Sequence, residues 1–290
     1  IKPRIEVDWR FWKSTIKKAL PFSLTIIIAG MFFNVDIIML SAMKGDEFAG
    51  WYKAVVNLVA AFNSVITVFI FAMFPVTSKL FVSAKESLIK TIEKSSKYLF
   101  IVGLPIAAGA FLLADRIILV VYGSDFAPAT IAVQILSIYL PFRVISHVMG
   151  WTLASIDREP LRTLSAAIVL GLNICLNFIL IPVLGIAGAG IATVVSQVLM
   201  FILYFYFLAK YFYRLPLSRI ALKPCISCSV LVLFILFLRN VNLVMLIFFS
   251  SALYFSILWL LRVFDSDDKN IVKTLTEPIY QLVGKKRESL

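Results

Sequence analysis

Eight long apolar stretches run through the chain, at roughly 18–43, 48–78, 98–122, 127–155, 161–182, 186–209, 221–238 and 241–261, separated by polar connections. Each has about 20 residues or more, and at ~1.5 Å per residue a helix of that length crosses a hydrocarbon core about 30 Å thick. The pattern predicts an all-α, polytopic membrane helix bundle with about eight transmembrane helices. Basic residues collect at every second connection: the segments 2–18, 79–97, 158–162, 210–223 and 262–287 together hold 23 of the 28 Lys and Arg. Under the positive-inside bias this side is the cytoplasm, and both ends of the chain lie there.

The opposite connections, such as Lys44-Gly-Asp-Glu47 and Gly123-Ser-Asp-Phe126, are too short to hold a folded domain. This argues against polymerases and transferases that place catalysis in a large external loop. The widest inner connection, 78–97, carries Lys79, Lys85, Lys90 and Lys94 with Glu86 and Glu93, and reads as a helical extension into the cytoplasm with a solvated charged face. Residues 5–18 interleave Trp9, Phe11, Trp12 and Ile16 with Arg10, Lys13, Lys17 and Lys18, the pattern of an amphipathic helix lying on the inner leaflet before it turns in at Pro21. In the tail, Asp265-Ser-Asp-Asp268 suits a helix N-terminus, and Lys285-Lys-Arg287 suits the inner leaflet.

Composition narrows the class further. A hydrophobic content of 61% and a mean hydropathy of +0.96 exclude a soluble domain of this length. The formal charge of +12 is mostly topogenic, so the partner it predicts is anionic membrane lipid and not nucleic acid. Cys225-Ile-Ser-Cys228 has the spacing of a redox pair but opens a membrane helix, and reads as small packing residues. No metal-ligand spacing and no nucleophile with its base is present, so neither cofactor, metal nor enzymatic activity is expected. The chain starts at Ile1 within a basic segment and reads as a piece of a longer protein.

Ionisable groups inside apolar spans should face protein or water, and they carry the functional reading: Asp36, Lys53, Asp115, Arg116, Arg143 and His147. Asp36 and Lys53 fall at one depth on successive antiparallel helices. They are either a structural ion pair or, at Asp36, a proton or cation site; Asn57 shares a helix face with Lys53. Arg143 falls near the bilayer midplane, where its donor fork can take an anionic ligand such as a phosphate or pack against helix dipoles. His147 follows at i+4, as a structural group or a proton relay, and Asn173 and Asn177 make a similar polar stripe on the next helix. Gly185-Ile-Ala-Gly-Ala-Gly190 lets another backbone approach closely.

Several segments together carry a resemblance. Asn34-Val-Asp-Ile-Ile-Met-Leu40 with Ala49-Gly-Trp-Tyr-Lys-Ala54, then Val121-Tyr-Gly-Ser-Asp-Phe-Ala-Pro-Ala129, then Ile181-Pro-Val-Leu-Gly-Ile-Ala-Gly-Ala-Gly-Ile-Ala-Thr193 occur in an order similar to the second half of polysaccharide flippases of the multidrug/oligosaccharidyl-lipid/polysaccharide exporter superfamily. The resemblance implies a six-helix lobe over 18–213, a cytoplasmic amphipathic linker over 1–17, two additional transmembrane helices over 214–264 and a cytoplasmic tail over 265–290. It further implies a first lobe as partner, residence in the cell membrane, and flipping of a polyprenyl-pyrophosphate-linked oligosaccharide to the outer leaflet by alternating access. Carried onto this sequence, Arg143 and Lys53, with His147, become candidates for the head group. Asn57, Asn173 and Asn177 become candidates for sugar hydroxyls, and Asp36 for ion coupling. A multidrug exporter of the same superfamily and a non-transporting remnant that binds a partner are the alternatives; the basic bias near the midplane disfavours the first.

Overall fold

The computed structural model describes residues 8–264. Over these it contains nine α-helices and one 3-10 segment, and no strand: α1 (Trp9–Lys44), α2 (Asp46–Ser83), α3 (Lys85–Leu112), α4 (Ala114–Tyr122), the 3-10 turn Ser124–Ala129, α5 (Thr130–Ser155), α6 (Glu159–Leu184), α7 (Ile186–Tyr211), α8 (Leu217–Phe237) and α9 (Leu243–Leu260). Eight helical segments are long and apolar enough to cross a membrane, as the hydropathy pattern predicts, and the chain is a multi-pass membrane protein. Residues 1–7 of the linker and the expected tail features at 265–268 and 285–287 lie outside the described residues.

The Asp8 carboxylate caps α1 by accepting from the Arg10 and Phe11 backbone amides, at 2.9 and 3.1 Å. The helix then continues unbroken to Lys44. Its 36 residues correspond to about 54 Å of axial rise, with the exposed Trp9, Phe11 and Trp12 at the start and the first span, from Phe22 onward, beyond Pro21. At the other end of the first hairpin only Ala84 separates α2 from α3, so the charged connection at 78–97 is helical throughout apart from that residue. The apolar stretch 98–122 divides at Leu113 into the end of α3 and the short α4. Asp115 sits in the first turn of α4, where a negative charge favours a helix start.

By contact the chain divides between Ala221 and Leu222. In the first unit α5 is the centre, packed against α2, α3 and α7, while α6 packs against α1 and α7. Among the described residues two large apolar clusters form, with a smaller one of Ala107, Tyr139 and Leu140 between them. One gathers Met39, Leu40, Tyr52, Ile118, Ala132, Leu136, Ile181 and Ala189; the other gathers Ile66, Leu88, Phe100, Val144, Met149, Leu153, Tyr204 and Leu208. Along α5 the first ends near Leu136 and the second begins at Val144, so Ser137, Tyr139 and Arg143 occupy the interval. Gly185, at φ +56°, turns the chain from α6 into α7, and at Gly188 an added Cβ would lie 2.4 Å from the Leu180 carbonyl oxygen. That approach is the close backbone contact expected from the small-residue run. In the second unit Leu231, Ile235, Leu246, Tyr254 and Leu258 are buried, and the Lys223 ammonium donates to the Arg262 carbonyl at 3.3 Å.

Candidate functional site

Asp36 lies eight residues before the end of α1, about 12 Å from it along the axis, and is 4% exposed. A carboxylate in such a place needs donors, because desolvating a charge without compensation costs far more than one hydrogen bond returns. Three elements supply them. Asn177 Nδ2 of α6 donates to Oδ1 at 2.6 Å, and Tyr52 Oη of α2 and Thr193 Oγ1 of α7 donate to Oδ2 at 3.0 and 2.5 Å. The Asn177 amide also reaches Asn173 Oδ1 at 3.2 Å, and Asn177 Oδ1 is buried without a hydrogen-bond partner among the described residues. Beside this cluster is a cavity of about 30 Å³ lined by Phe32, Asp36, Tyr52, Tyr139 and Thr193 among others, room for about one water or one bare ion.

The expected ion pair with Lys53 is not made. Successive helical residues point ~100° apart, and it is Tyr52 that faces Asp36 while Lys53 is exposed. Asn57 is exposed with it, one turn along α2. Neither lines the cavities described here.

Arg143 sits mid-way along α5, about 20 Å from its start and 18 Å from its end. With His147 it lines a larger cavity of about 230 Å³, walled by Thr25 and Phe32 of α1, Thr67 of α2, Ser146 and Trp151 of α5, Arg162 of α6, and Gln197 and Tyr204 of α7. The Arg143 guanidinium lies over the Tyr139 ring at 5.9 Å, and Gln197 Nε2 donates to Ser146 Oγ at 3.0 Å. His147 Nδ1 is buried with no hydrogen-bond partner among the described residues. Arg143 and Arg162 both lie close enough to act electrostatically on His147 and on Tyr204.

The proposed site residues thus separate into three places. Arg143 and His147 share the basic cavity; Asn173 and Asn177 are fully buried with Asp36 instead of joining them; Lys53 and Asn57 share an exposed face of α2. Sequence reading missed Tyr52, Thr193 and Arg162. Arg162 was counted among the charges of a cytoplasmic connection, and nothing in its spacing marks it as a cavity residue. Tyr52 and Thr193 lie inside motifs already noted, but uncharged groups in apolar helices do not announce themselves.

The bundle, with its buried polar clusters held between helices, places the chain in the class of polytopic α-helical membrane proteins, and comparison with known proteins adds to this. Residues 1–131 match the family model described as "Polysaccharide biosynthesis protein". The chain is 27% identical over 188 residues to an uncharacterized membrane protein, MJ1068, of Methanocaldococcus jannaschii, covering 64% of this chain and 37% of that one. It is 24% identical over 192 residues to Agl15 of Haloferax volcanii, a probable low-salt glycan biosynthesis flippase, covering 66% and 41%. Among solved structures the lipid II flippase MurJ in an inward closed conformation shares its fold, with a TM-score of 0.69 at 15% identity over 89% of this chain and 56% of that chain. In sequence the chain is thus similar to a polysaccharide-biosynthesis family over its first 131 residues and to these two membrane proteins, and the likeness to MurJ is one of fold. The matched stretch spans about two fifths of the curated relatives and just over half of the solved one.

Proposed function

We propose that the chain is one lobe of a flippase that moves polyprenyl-pyrophosphate-linked oligosaccharides from the inner to the outer leaflet by alternating access, for polysaccharide biosynthesis. The observation that carries this reading is the basic cavity: two arginines and a histidine around about 230 Å³ of space inside a membrane bundle. A pyrophosphate cannot cross hydrocarbon without replacing its hydration, and guanidinium forks are suited to its oxygens. The volume is below the ~300–1,000 Å³ of pockets that enclose drug-sized ligands, so this lobe takes the charged head group while the sugar lies outside it and the lipid tail stays in the bilayer. Lys53 and Asn57, on their shared exposed face, serve the part of the substrate path that a companion first lobe completes. Arginines in the wall also repel cationic drugs, which disfavours a multidrug exporter.

Asp36 is the coupling group in this proposal. Its carboxylate and the Tyr52 and Thr193 hydroxyls line a one-ion cavity, and binding a proton or a monovalent cation there alters the bonds that join α1, α2, α6 and α7. The test is flipping of a labelled polyprenyl-pyrophosphate oligosaccharide in proteoliposomes by the full-length protein and its Arg143→Ala variant. Transport that falls in the variant while its thermal unfolding is unchanged supports the head-group site. Absence of transport for every lipid-linked sugar tried overturns the reading in favour of an exporter of other cargo or a non-transporting protein.

A further inference from the structure

The basic connections 158–162 and 210–223 meet at one end of the bundle, and a surface cluster there is not used by the cavities. Helix α7 closes with the exposed Tyr206, Lys210 and Tyr211, and the exposed Arg158 reaches them from the turn between α5 and α6. The Arg158 guanidinium lies over the Tyr211 ring at 4.6 Å, while the Lys210 ammonium lies 5.4 Å from that ring and 5.6 Å from the ring of Tyr206. Two cations sharing one ring in this way stand within about 10 Å of each other. Among the described residues neither is paired with a carboxylate, the neighbouring Asp157 included. The turn that carries Arg158 is itself fixed. Asp157, at φ +59°, ends α5 in the left-handed conformation that Asp tolerates, and the Arg158 amide donates back to the Leu153 carbonyl at 2.8 Å.

Leading up to the cluster, α7 offers a track. At ~100° per residue the exposed Val195, Ile202, Tyr206 and Lys210 fall within about 80° of arc. Gln197 and Tyr204, which line the basic cavity, lie on the opposite side of the helix. The stripe grades from aliphatic through aromatic to cationic over about 22 Å, enough for one ~15 Å leaflet of hydrocarbon with a head group above it. Tyrosine at the boundary with lysine beyond it is the order expected where lipid tails give way to head groups.

We propose that this face binds one anionic phospholipid of the inner leaflet, with an acyl chain along Val195, Ile202 and Tyr206 and the phosphodiester between Lys210 and Arg158. The two cations are about one Debye length apart, so water and salt screen their repulsion only in part, and a phosphodiester between them relieves it. A free phosphate lacks the tail that the stripe accommodates, and a zwitterionic head group brings a cation of its own to a basic patch. The bound lipid ties the α5–α6 turn to the end of α7. Because it lies outside the cavity, the site stands independently of the head-group reading above.

The experiment is native mass spectrometry of the detergent-purified full-length protein with added phosphatidylglycerol or, separately, phosphatidylcholine of the same acyl chains. Wild type is expected to retain phosphatidylglycerol in preference. Arg158→Gln and Lys210→Gln are each expected to weaken its retention roughly five-fold and to leave phosphatidylcholine unchanged. Arg158→Met and Lys210→Met keep the aliphatic stems and serve if the glutamine variants do not fold. Lys90→Gln removes an equal charge from an exposed position of α3 and is expected to leave the preference intact. Ile202→Asn, in the track, is expected to weaken both lipids. Equal retention of the two lipids by wild type overturns the site, and so does a loss in Lys90→Gln equal to that in Lys210→Gln, which reduces the effect to net charge. Displacement of phosphatidylglycerol by glycerol 3-phosphate at equal concentration, or undiminished retention in Ile202→Asn, makes the patch a site for free phosphate and overturns the lipid assignment.

Discussion

The Asn177 side-chain amide donates to the Asp36 carboxylate at 2.6 Å, joining α6 to α1 between residues 141 positions apart in sequence. The same carboxylate accepts from Tyr52 and Thr193, so one buried charge holds four helices in register. Removing a donor from a buried carboxylate costs more than the bond returned on folding. Asn177→Ala is expected to lower stability by about 1–3 kcal/mol, measured as a fall in the thermal unfolding midpoint in detergent. Asp36→Asn keeps the shape, and under the coupling proposal it leaves the protein folded while abolishing the response of transport to an imposed proton or sodium gradient. A gradient response that survives in that variant removes Asp36 from coupling.

Tyr52 and its neighbour Lys53 separate two readings of α2. Tyr52→Phe withdraws a hydroxyl from the Asp36 cluster and is expected to cost about 1.5–3 kcal/mol, as for hydrogen bonds to charged groups. Lys53→Ala, on the exposed side, is expected to stay within about 0.5 kcal/mol of wild type. Chemical or thermal unfolding of the two variants side by side reads the difference; equal losses contradict the placement of Lys53.

Gly188 and Gly109 form a matched pair for packing. A Cβ at Gly188 meets the Leu180 carbonyl oxygen of the facing backbone at 2.4 Å, whereas one at Gly109 meets nothing within 4 Å. Gly188→Ala is therefore expected to destabilise by about 1–3 kcal/mol through overpacking. Gly109→Ala, in the last turn of α3, is expected to be neutral or to stabilise by less than about 1 kcal/mol through helix propensity. Thermal unfolding in detergent resolves both signs.

Tyr213, in the connection after α7, gives a pH signature. Its hydroxyl donates to Glu93 Oε1 at 2.5 Å, and that bond, followed by desolvation and the nearby Glu93 charge, raises its pKa above the ordinary value of 10.0. Because the folded-state value is the higher one, the contribution is fully present below the unfolded pKa and is lost as pH rises through the folded one. Wild type is expected to lose stability above about pH 10, and Tyr213→Phe to lose less over the same interval, measured by unfolding midpoints across an alkaline series.

Much of the bundle was legible because the bilayer imposes a strong rule: spans must be long, apolar and helical, and their basic flanks must alternate. The eight candidate spans follow from that rule. What the pattern does not encode is azimuth. Asp36 and Lys53 have matching depths, yet Tyr52 takes the inward face; Asn173 shares a stripe with Asn177, yet the stripe turns toward α1 instead of toward Arg143. Helix rotation is set by tertiary packing, here by contacts such as Gly188 on Leu180 that join distant faces. Arg162 was hidden for another reason. A charge near a span's end satisfies the positive-inside bias whether it is solvated or folded back into a cavity, and only coordinates separate the two.

Four joints of the bundle consist of one residue each: Gly45 between α1 and α2, Ala84 between α2 and α3, Leu113 between α3 and α4, and Gly185 between α6 and α7. Consecutive Cα atoms are only 3.8 Å apart, so such a joint can pivot but has no slack. A push along the axis of α1 is handed directly to α2 and from there to α3, and a push on α6 is handed to α7. Mechanically the bundle contains two linkages, one of the four rods α1 to α4 and one of the two rods α6 and α7, and the carboxylate of Asp36 is a rivet between them: under the coupling proposal, an ion that loosens or tightens that rivet sets how far one linkage can travel without the other.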